Sequence, residues 1–242
     1  MKRKTLCILA AVITGFTSFA QPDSTKIVFT PLTNSVYVFT YYMMIGGGPY
    51  PCNGLYAVTK QGIVLVDMPY TEALTQQFID SIEKRHHQKI VLSISTHFHD
   101  DRTGGINTLK QAGAKTYSSV ATLQLCKKEG NDEAAYTFTK DTTFTIGGIT
   151  MQTYYPGAGH TKDNIVVWLP KQKILFGGCL VKSTETNSIG NTADADIAQW
   201  PASIKKVMGK FRDAKYIIPG HQSWTDTNSL QHTLDILAAL KK

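Results

Sequence analysis

The sequence predicts a single domain of the α/β or α+β class, a sandwich in which helices cover β-sheets. Strand-like segments dominate the first part of the chain with helices interspersed, and a helical segment comes last. The 242 residues contain no internal repeat and no linker between two compositions. With 42% hydrophobic and 18% charged residues, the chain has the length and apolar content for one packed core, which excludes a disordered or fibrous protein.

The first twenty residues have the layout of a secretory signal peptide. Residues 2–4 are basic, residues 6–19 are mostly apolar, and small residues at Ser18 and Ala20 predict cleavage after Ala20. A transmembrane anchor is the alternative, but the apolar stretch is short and becomes polar toward its end. We therefore expect residues 21–242 to form a mature periplasmic domain without stable membrane association.

The charge of the mature chain gives little support for a nucleic-acid partner. Loss of the three basic residues at positions 2–4 leaves 22 basic and 18 acidic residues, a net charge of +4. The remaining Lys and Arg are scattered, without a basic run interleaved with aromatic residues. Nothing in the sequence demands more than a monomer.

In the first half of the mature chain, the pattern predicts strands followed by helices. Residues 36–44 are rich in β-branched and aromatic residues and predict a strand, and the glycines within 45–51 predict a mobile turn. Residues 55–58 and 63–66 are apolar runs that predict a hairpin. The further elements are a helix capped by Thr71 with Leu74, Phe78 and Ile82 on one face, a strand at 90–94, a loop at 97–103, a short strand at 115–117 and a helix at 120–128.

The second half predicts two more hairpins and two helices. The hairpins join 144–146 to 149–155 and 165–169 to 174–176, and a strand follows at 216–218. Pro201 suits the first turn of a helix whose Ile204, Val207, Met208 and Phe211 face inward, and Leu230, Leu234 and Leu237 line a final helix.

Potential metal ligands follow these predicted strands. His97, His99, His160, His221 and Cys179 all lie in loops directly after strands, several of them reached through glycines. Loops on a rigid sheet scaffold commonly carry the chemistry of a protein. In an extended segment, His97, His99 and Asp101 lie on one side, and two imidazoles with a carboxylate suit zinc.

An isolated His-x-His is common in proteins that bind no metal, so the motif alone is weak. Cys52 and Cys126 have no comparable setting, and each is interpreted as a small apolar filler. A disulfide between them in an oxidising compartment is an alternative that the sequence leaves open.

Five motifs in order give the chain a specific resemblance. They are His97-x-His99-x-Asp101-Arg102, Gly157-Ala158-Gly159-His160-Thr161-x-Asp163-Asn164, Gly177-Gly178-Cys179-x-x-Lys182, Gly190-Asn191-x-x-Asp194-Ala195-Asp196 and Pro219-Gly220-His221. Together they resemble the zinc-dependent (class B) β-lactamases, in the subclass whose second zinc is held by Asp, Cys and His. Arg102 and the pairing of Cys179 with Lys182 separate this subclass from the wider superfamily, in which another His commonly stands at the position of Arg102.

The resemblance implies an αββα sandwich with two zinc ions per monomer in a groove at one edge of the sheets. It implies that His97, His99 and His160 bind the first zinc, and that Asp101, Cys179 and His221 bind the second. Each set leaves coordination positions open for water and substrate, as in catalytic sites. Two zinc ions activate a water as a hydroxide that attacks the β-lactam carbonyl.

The resemblance also implies the roles of the remaining site residues. Asn191 helps to hold the developing oxyanion, and Lys182 pairs with the substrate carboxylate; with Asp101, these are the expected catalytic residues. Arg102 is a buried cation that offsets the nearby carboxylate and thiolate. The segment 43–51 resembles a flap that contacts the substrate through Met43, Met44, Ile45 and Tyr50.

The chain departs from the family pattern at two places. The family often has Asp-Thr-Pro-Trp where residues 67–70 read Asp-Met-Pro-Tyr, and Gly where this chain has Gln222. The resemblance implies hydrolysis of penicillins, cephalosporins and carbapenems, and resistance to these antibiotics. The alternatives are another hydrolase of the same fold, for example a thioesterase, and a zinc-binding protein without catalysis.

Overall fold

Two β-sheets pack face to face with helices on their outer faces, in a computed structural model that describes residues 26–240. The predicted signal peptide lies outside the described residues. The first sheet is formed, in spatial order, by β1 (Val28–Pro31), β2 (Val36–Ile45), β3 (Gly48–Thr59), β4 (Gly62–Val66), β5 (Ile90–Ile94), β6 (Lys115–Ser119) and β7 (Tyr136–Phe138). The second sheet runs from β12 (Tyr216–Pro219) through β11 (Ile174–Gly178), β10 (Val166–Leu169) and β9 (Ile149–Tyr154) to β8 (Thr143–Ile146).

Six helices lie between or after the strands within residues 26–240. They are α1 (Glu72–His86), α2 (Asp100–Thr103), α3 (Ile106–Gln111), α4 (Val120–Glu129), α5 (Trp200–Lys210) and α6 (Ser229–Ala239). The α1 helix begins where the sequence predicts, because the Thr71 hydroxyl accepts a hydrogen bond from the amide of Leu74 at 3.2 Å. Pro201 lies in the first turn of α5, where its missing N–H costs no helical hydrogen bond.

Alternation along the strands builds the layers. In β4, Val64 and Val66 lie in the core between the sheets, whereas Ile63 and Leu65 lie in the core shared with α1 and α3. A third core joins the outer face of the second sheet to α5 and α6. The order is therefore helices, sheet, sheet, helices, and the predicted fold class is confirmed.

Three local predictions differ from the structure. Residues 45–51 are not an extended turn, because β2 and β3 pair as far as Ile45 opposite Gly48 and only two glycines connect them. The predicted loop at 97–103 contains the short helix α2. The strands β1 and β7 and the helix α3 are short or weakly patterned, and the sequence reading assigned none of them.

The ends of β5, β11 and β12 come together at one edge of the sandwich. β11 and β12 are parallel, so their carboxyl ends lie side by side. The buried Asn53 of β3 ties the two sheets there: its Nδ2 donates to the carbonyls of Pro219 at 3.0 Å and Gln222 at 2.8 Å. Within residues 26–240, none of the helices has the length and apolar character needed to cross a bilayer.

Candidate metal centre

The loops at this edge bring the six predicted ligands together. His97 and His99 lie between β5 and α2, Asp101 lies in α2, and His160, Cys179 and His221 follow β9, β11 and β12. Asp101 joins the histidines from the first turns of a helix, four residues after His97, with 3.8 Å between its Oδ1 and His97 Nε2. The predicted convergence is therefore present, but it arises from a strand that turns into a helix and not from alternation in an extended segment.

The three histidines predicted for the first zinc form a cluster. The ring centroids of His97 and His99 are 4.9 Å apart, those of His97 and His160 are 4.9 Å apart, and those of His99 and His160 are 5.1 Å apart. His97 Nε2 and His99 Nδ1 face each other at 3.2 Å. His97 and His160 are buried, while His99 is partly open to the groove.

The residues predicted for the second zinc form a tighter triangle. Cys179 Sγ lies 3.2 Å from His221 Nε2 and 3.4 Å from Asp101 Oδ2, and the latter two atoms are 3.1 Å apart. A sulfur, an imidazole nitrogen and a carboxylate oxygen that converge at these distances are a donor set that zinc prefers. Because the Asp101 oxygens face both clusters, one carboxylate connects them. The residues present therefore suit a pair of zinc ions.

Arg102 lies directly beneath the second cluster and is fully buried. Its guanidinium nitrogen Nη2 donates to Cys179 Sγ at 3.0 Å and to the Gly220 carbonyl at 2.8 Å. The same nitrogen lies 3.0 Å from Asp101 Oδ2. Gly220 allows this approach, because a Cβ there would lie 2.7 Å from Arg102 Nη2. The guanidinium thus offsets the negative charge of the carboxylate and of the thiolate that a metal requires.

Burial and charge set the protonation states of the cluster. Burial lowers the pKa values of His97, His160 and His221, so these imidazoles are in the neutral form that binds metals. Burial alone would raise the pKa of Asp101, but Arg102 and His221 outweigh it and hold that pKa well below its usual range. Burial raises the pKa of the Cys179 thiol to about 12 against the opposing effect of Arg102, so metal binding at Cys179 must displace a proton.

Comparison with known proteins agrees with this geometry. The model of the metallo-β-lactamase superfamily matches residues 47–221. The chain belongs to this superfamily. A metallo-β-lactamase type 2 from Elizabethkingia meningoseptica is 39% identical over 237 residues, which covers 98% of this chain and 95% of the relative. A protein of the same name from Bacillus cereus is 41% identical over 215 residues, covering 89% of this chain and 84% of the relative.

Solved structures give the same result. A metallo-β-lactamase from Pontibacter korlensis superposes with a TM-score of 0.86 at 38% identity and covers 88% of this chain and 99% of its own. The crystal structure of the metallo-β-lactamase IND-7 gives a TM-score of 0.85 at 37% identity, covering 88% and 98%. The resemblance to the class B β-lactamases is confirmed, and zinc is the metal on which this family of enzymes depends.

In this superfamily member, a groove of about 560 Å³ opens over the metal ligands. One wall is formed by the flap, the hairpin of β2 and β3, through Met43, Ile45 and Tyr50, and the Tyr50 ring lies 5.0 Å from that of His221. The opposite wall includes Lys182 and Asn191. The structure therefore places four of the six predicted metal ligands and these substrate-binding candidates around one space; those four are His99, Asp101, His160 and His221.

Among the predicted substrate-binding residues, Met44 is the one that does not line the groove. Strand alternation in β2 puts Met43 and Ile45 on one face and Met44 on the other, where 55% of its surface is exposed. The resemblance of 43–51 to a flap did not distinguish the two faces of β2, so the structure lends no support to the substrate contact predicted for Met44.

Lys182 and Asn191 differ in their surroundings. The Lys182 ammonium lies 5.3 Å from the ring centroid of Trp200, and burial lowers its pKa although Cys179 and Asp101 oppose that shift. Asn191 is exposed, and its Oδ1 accepts a hydrogen bond from the amide of Ala193 at 3.0 Å. That bond leaves the amide NH2 of Asn191 as the donor that a substrate oxygen can meet.

Two acidic residues support the centre, although the sequence assigned them no role. Asp194 Oδ2 lies 2.9 Å from His99 Nε2, so this carboxylate orients a predicted ligand from the loop that carries Asn191. The buried Asp67 accepts hydrogen bonds from the amide and hydroxyl of Thr96 and lies 3.5 Å from Arg102 Nη1. Asp194 stands within a motif that carried the resemblance, and Asp67 is the first residue of the segment 67–70, where it keeps the Asp of the family pattern, but nothing in the sequence relates it to Arg102.

Within residues 26–240, the cysteines outside the cluster are free. Cys52 and Cys126 are buried and unbonded, and Cys52 packs in the apolar core between the first sheet and its helices, which resolves the alternative that the sequence left open. Cys52 lies opposite His221 across an isolated bridge between β3 and the loop after β12.

Proposed function

We propose that this chain is a periplasmic, zinc-dependent β-lactamase that hydrolyses the amide bond of penicillins, cephalosporins and carbapenems and so confers resistance to them. The observation that carries the proposal is the convergence of the three-histidine cluster, the Asp101, Cys179 and His221 triangle and the half-buried Lys182 at one groove. The named relatives, which are metallo-β-lactamases, support the same activity.

The two sets would hold two zinc ions, with His97, His99 and His160 at one and Asp101, Cys179 and His221 at the other. Zinc bound there supplies Lewis-acid polarisation of a carbonyl and lowers the pKa of water to about 7. Asp101 stays ionised because of Arg102, which contacts its Oδ2, and its Oδ1, which faces His97, would accept a hydrogen bond from a water held between the sets. Arg102 itself acts through Asp101 and Cys179, without contact to the substrate.

The groove walls bind and orient the lactam. Lys182 pairs with the carboxylate that β-lactams carry beside the ring nitrogen, and the Asn191 amide donates to the oxygen on which negative charge develops. The flap covers the bound substrate with Met43, Ile45 and Tyr50 and limits the access of bulk water.

The proposal also covers export and assembly. Residues 1–20 direct secretion and are removed, and residues 21–242 act as a monomer. N-terminal sequencing of the protein from a periplasmic fraction is expected to begin at Gln21, and sedimentation of that protein is expected to give the mass of one chain. A retained Met1, or a dimer at micromolar concentration, would contradict this part.

The activity is tested with the purified, zinc-loaded protein against a penicillin, a cephalosporin and a carbapenem. We expect ring opening of all three, its loss on treatment with a chelator and its recovery with zinc. Zinc binding without turnover of any lactam would make the chain a non-catalytic binding protein. Turnover of a thioester but of no lactam would make it a different hydrolase of this fold.

A further inference from the structure

The groove wall that carries Lys182 and Asn191 is attached to the last helix. This wall, residues 182–191, lies between β11 and α5 and contributes Lys182, Thr186, Ser188, Gly190 and Asn191 to the groove. It has no regular secondary structure, and one backbone hydrogen bond, from the amide of Thr186 to the carbonyl of Ser183 at 3.2 Å, forms a turn within it. Side chains from elsewhere in the chain add the contacts that attach this wall to the rest of the protein.

The α6 helix fixes the start of the wall through Thr233. The buried Thr233 hydroxyl accepts a hydrogen bond from the backbone amide of Lys182 at 2.8 Å and donates to the Ser229 carbonyl at 2.6 Å. Ser183 is tied in addition to the loop after His221, because its hydroxyl donates to the Ser223 carbonyl at 2.7 Å. The backbone of Lys182 is thus anchored.

The middle of the wall is held by His232, the neighbour of Thr233 on α6. His232 Nε2 lies 2.6 Å from the carbonyl oxygen of Thr186. Because a carbonyl oxygen only accepts, the imidazole nitrogen is the donor of this bond. His232 is half-buried and does not line the groove.

Hydrogen bonds within the wall extend this anchor to the groove. The Thr186 hydroxyl accepts from the amide of Ser188 at 3.1 Å, and the Ser188 hydroxyl accepts from the amide of Gly190 at 3.1 Å. Gly190 adopts φ +79, and a Cβ on it would lie 3.7 Å from the Lys182 ammonium. The series therefore ends where Lys182 and Asn191 meet the substrate space.

We propose that His232 is a positioning residue for substrate binding, which holds the wall so that Lys182 and Asn191 keep the spacing that suits the carboxylate and carbonyl of a β-lactam. The proposal rests on the proposed function. Since His232 acts on groups that bind the substrate in both the ground and transition states, its loss raises KM more than it lowers kcat.

Two polar substitutions of His232, by Gln and by Asn, distinguish a role in positioning the wall from a general effect on stability. Gln places its amide nitrogen near the position of His Nε2, whereas the shorter Asn reaches only the position of Nδ1. We expect His232→Asn to raise KM for a penicillin about three- to tenfold, as for the loss of one hydrogen bond, with kcat within about twofold of the parent. His232→Gln is expected to stay within about twofold on both constants. Gln231→Ala, on the exposed face of the same helix, is the control.

A second measurement does not depend on activity. Amide hydrogen exchange of zinc-loaded protein is expected to be faster at residues 184–191 in His232→Asn, and unchanged there in His232→Gln and Gln231→Ala. A parent protein that opens no lactam would refute the proposed function, and the exchange data would still test the anchor. Equal KM in the Asn and Gln variants, a loss confined to kcat, or unchanged exchange in the Asn variant would overturn the proposal.

Discussion

Arg102 shows how one buried residue organises the centre. Its guanidinium contacts Asp101, Cys179 and the carbonyls of Asn53 and Gly220, so it offsets the charge of two predicted ligands and ties β3 to the loops after β11 and β12. The motif predicted a buried cation at this position, because Arg in place of the more common His marks the subclass that this chain resembles. The motif did not predict Asp67, which supports Arg102 from a strand end distant in sequence.

Lys182 is expected to act on substrate binding. Lys182→Ala removes a contact to a carboxylate that is present in both the ground and transition states, so KM should rise about tenfold or more while kcat stays within a few-fold. Steady-state kinetics on a penicillin measure this. An unchanged KM with a collapsed kcat would contradict the role.

Gln222, one of the two departures from the family pattern, occupies a backbone conformation that favours glycine. Its φ is +62, in the left-handed region, directly after the ligand His221. Gln222→Gly should therefore relieve backbone strain in the folded state. Glycine also gives the unfolded chain more conformational freedom, which offsets part of that gain, so the free energy of unfolding should rise by up to about 1 kcal/mol. Denaturant unfolding of zinc-loaded protein tests this, and a loss of stability would show that the Gln222 side chain contributes more than its conformation costs.

At the scale of elements, strands with clear alternation or apolar runs were predictable, and short irregular elements were not. The structure confirms the hairpin of β3 and β4, which could be predicted because both strands contain apolar runs. Three glycines in succession, in contrast, hid the pairing of β2 with β3 beyond Met44. Gly46 and Gly47, with φ +60 and +81, form the tight connection that lets the flap project over the groove.

The two faces of the flap should behave differently. Met43→Ala removes an apolar contact that lines the groove and is expected to raise KM about two- to fivefold for lactams with apolar side chains. Met44→Ala, one residue along on the opposite face, is the matched control and should leave KM unchanged. Equal effects of the two substitutions on KM would mean that the alternation of β2 does not persist when substrate binds.

The loop that carries His160 predicts a pH dependence of stability. Burial raises the pKa of Asp163, although the hydroxyls of Thr122 and Thr161 oppose the shift. The folded protein therefore keeps a proton at pH values where the unfolded chain has lost it, and this contribution to stability declines as pH rises from about 4 through the folded pKa. Asp163→Asn cannot lose that proton, so it should gain stability relative to the parent between pH 4 and 7.

The free energy of unfolding is measured for the parent and for Asp163→Asn between pH 4 and 7. The difference between the two values reports on Asp163, because the metal ligands titrate in both proteins and their contribution cancels. A difference in the free energy of unfolding that does not change with pH would show that Asp163 titrates with the same pKa in the folded and unfolded states.

At the scale of the whole molecule, the sandwich brings together residues that are far apart in the chain. Composition and element order predict the class of layers, but only the resemblance predicts which loops meet, since no local pattern relates His97 to His221. The structure shows the reason: β11 and β12 end beside each other, and Asn53 joins them to the first sheet. Asp194 and His232 could not be assigned a role before the fold was known, because their partners lie 95 and 46 residues away.

The most direct test of the account is a zinc titration of the metal-free protein, with bound metal and lactam hydrolysis measured at each step, for the parent and for Cys179→Ser. The account predicts two equivalents of tightly bound zinc in the parent. In the variant, one equivalent is retained and the second is weakened, with lower turnover, since the thiolate is the only soft ligand of the set. Two tightly bound equivalents and an unchanged rate in Cys179→Ser, or no stoichiometric binding by the parent, would contradict it.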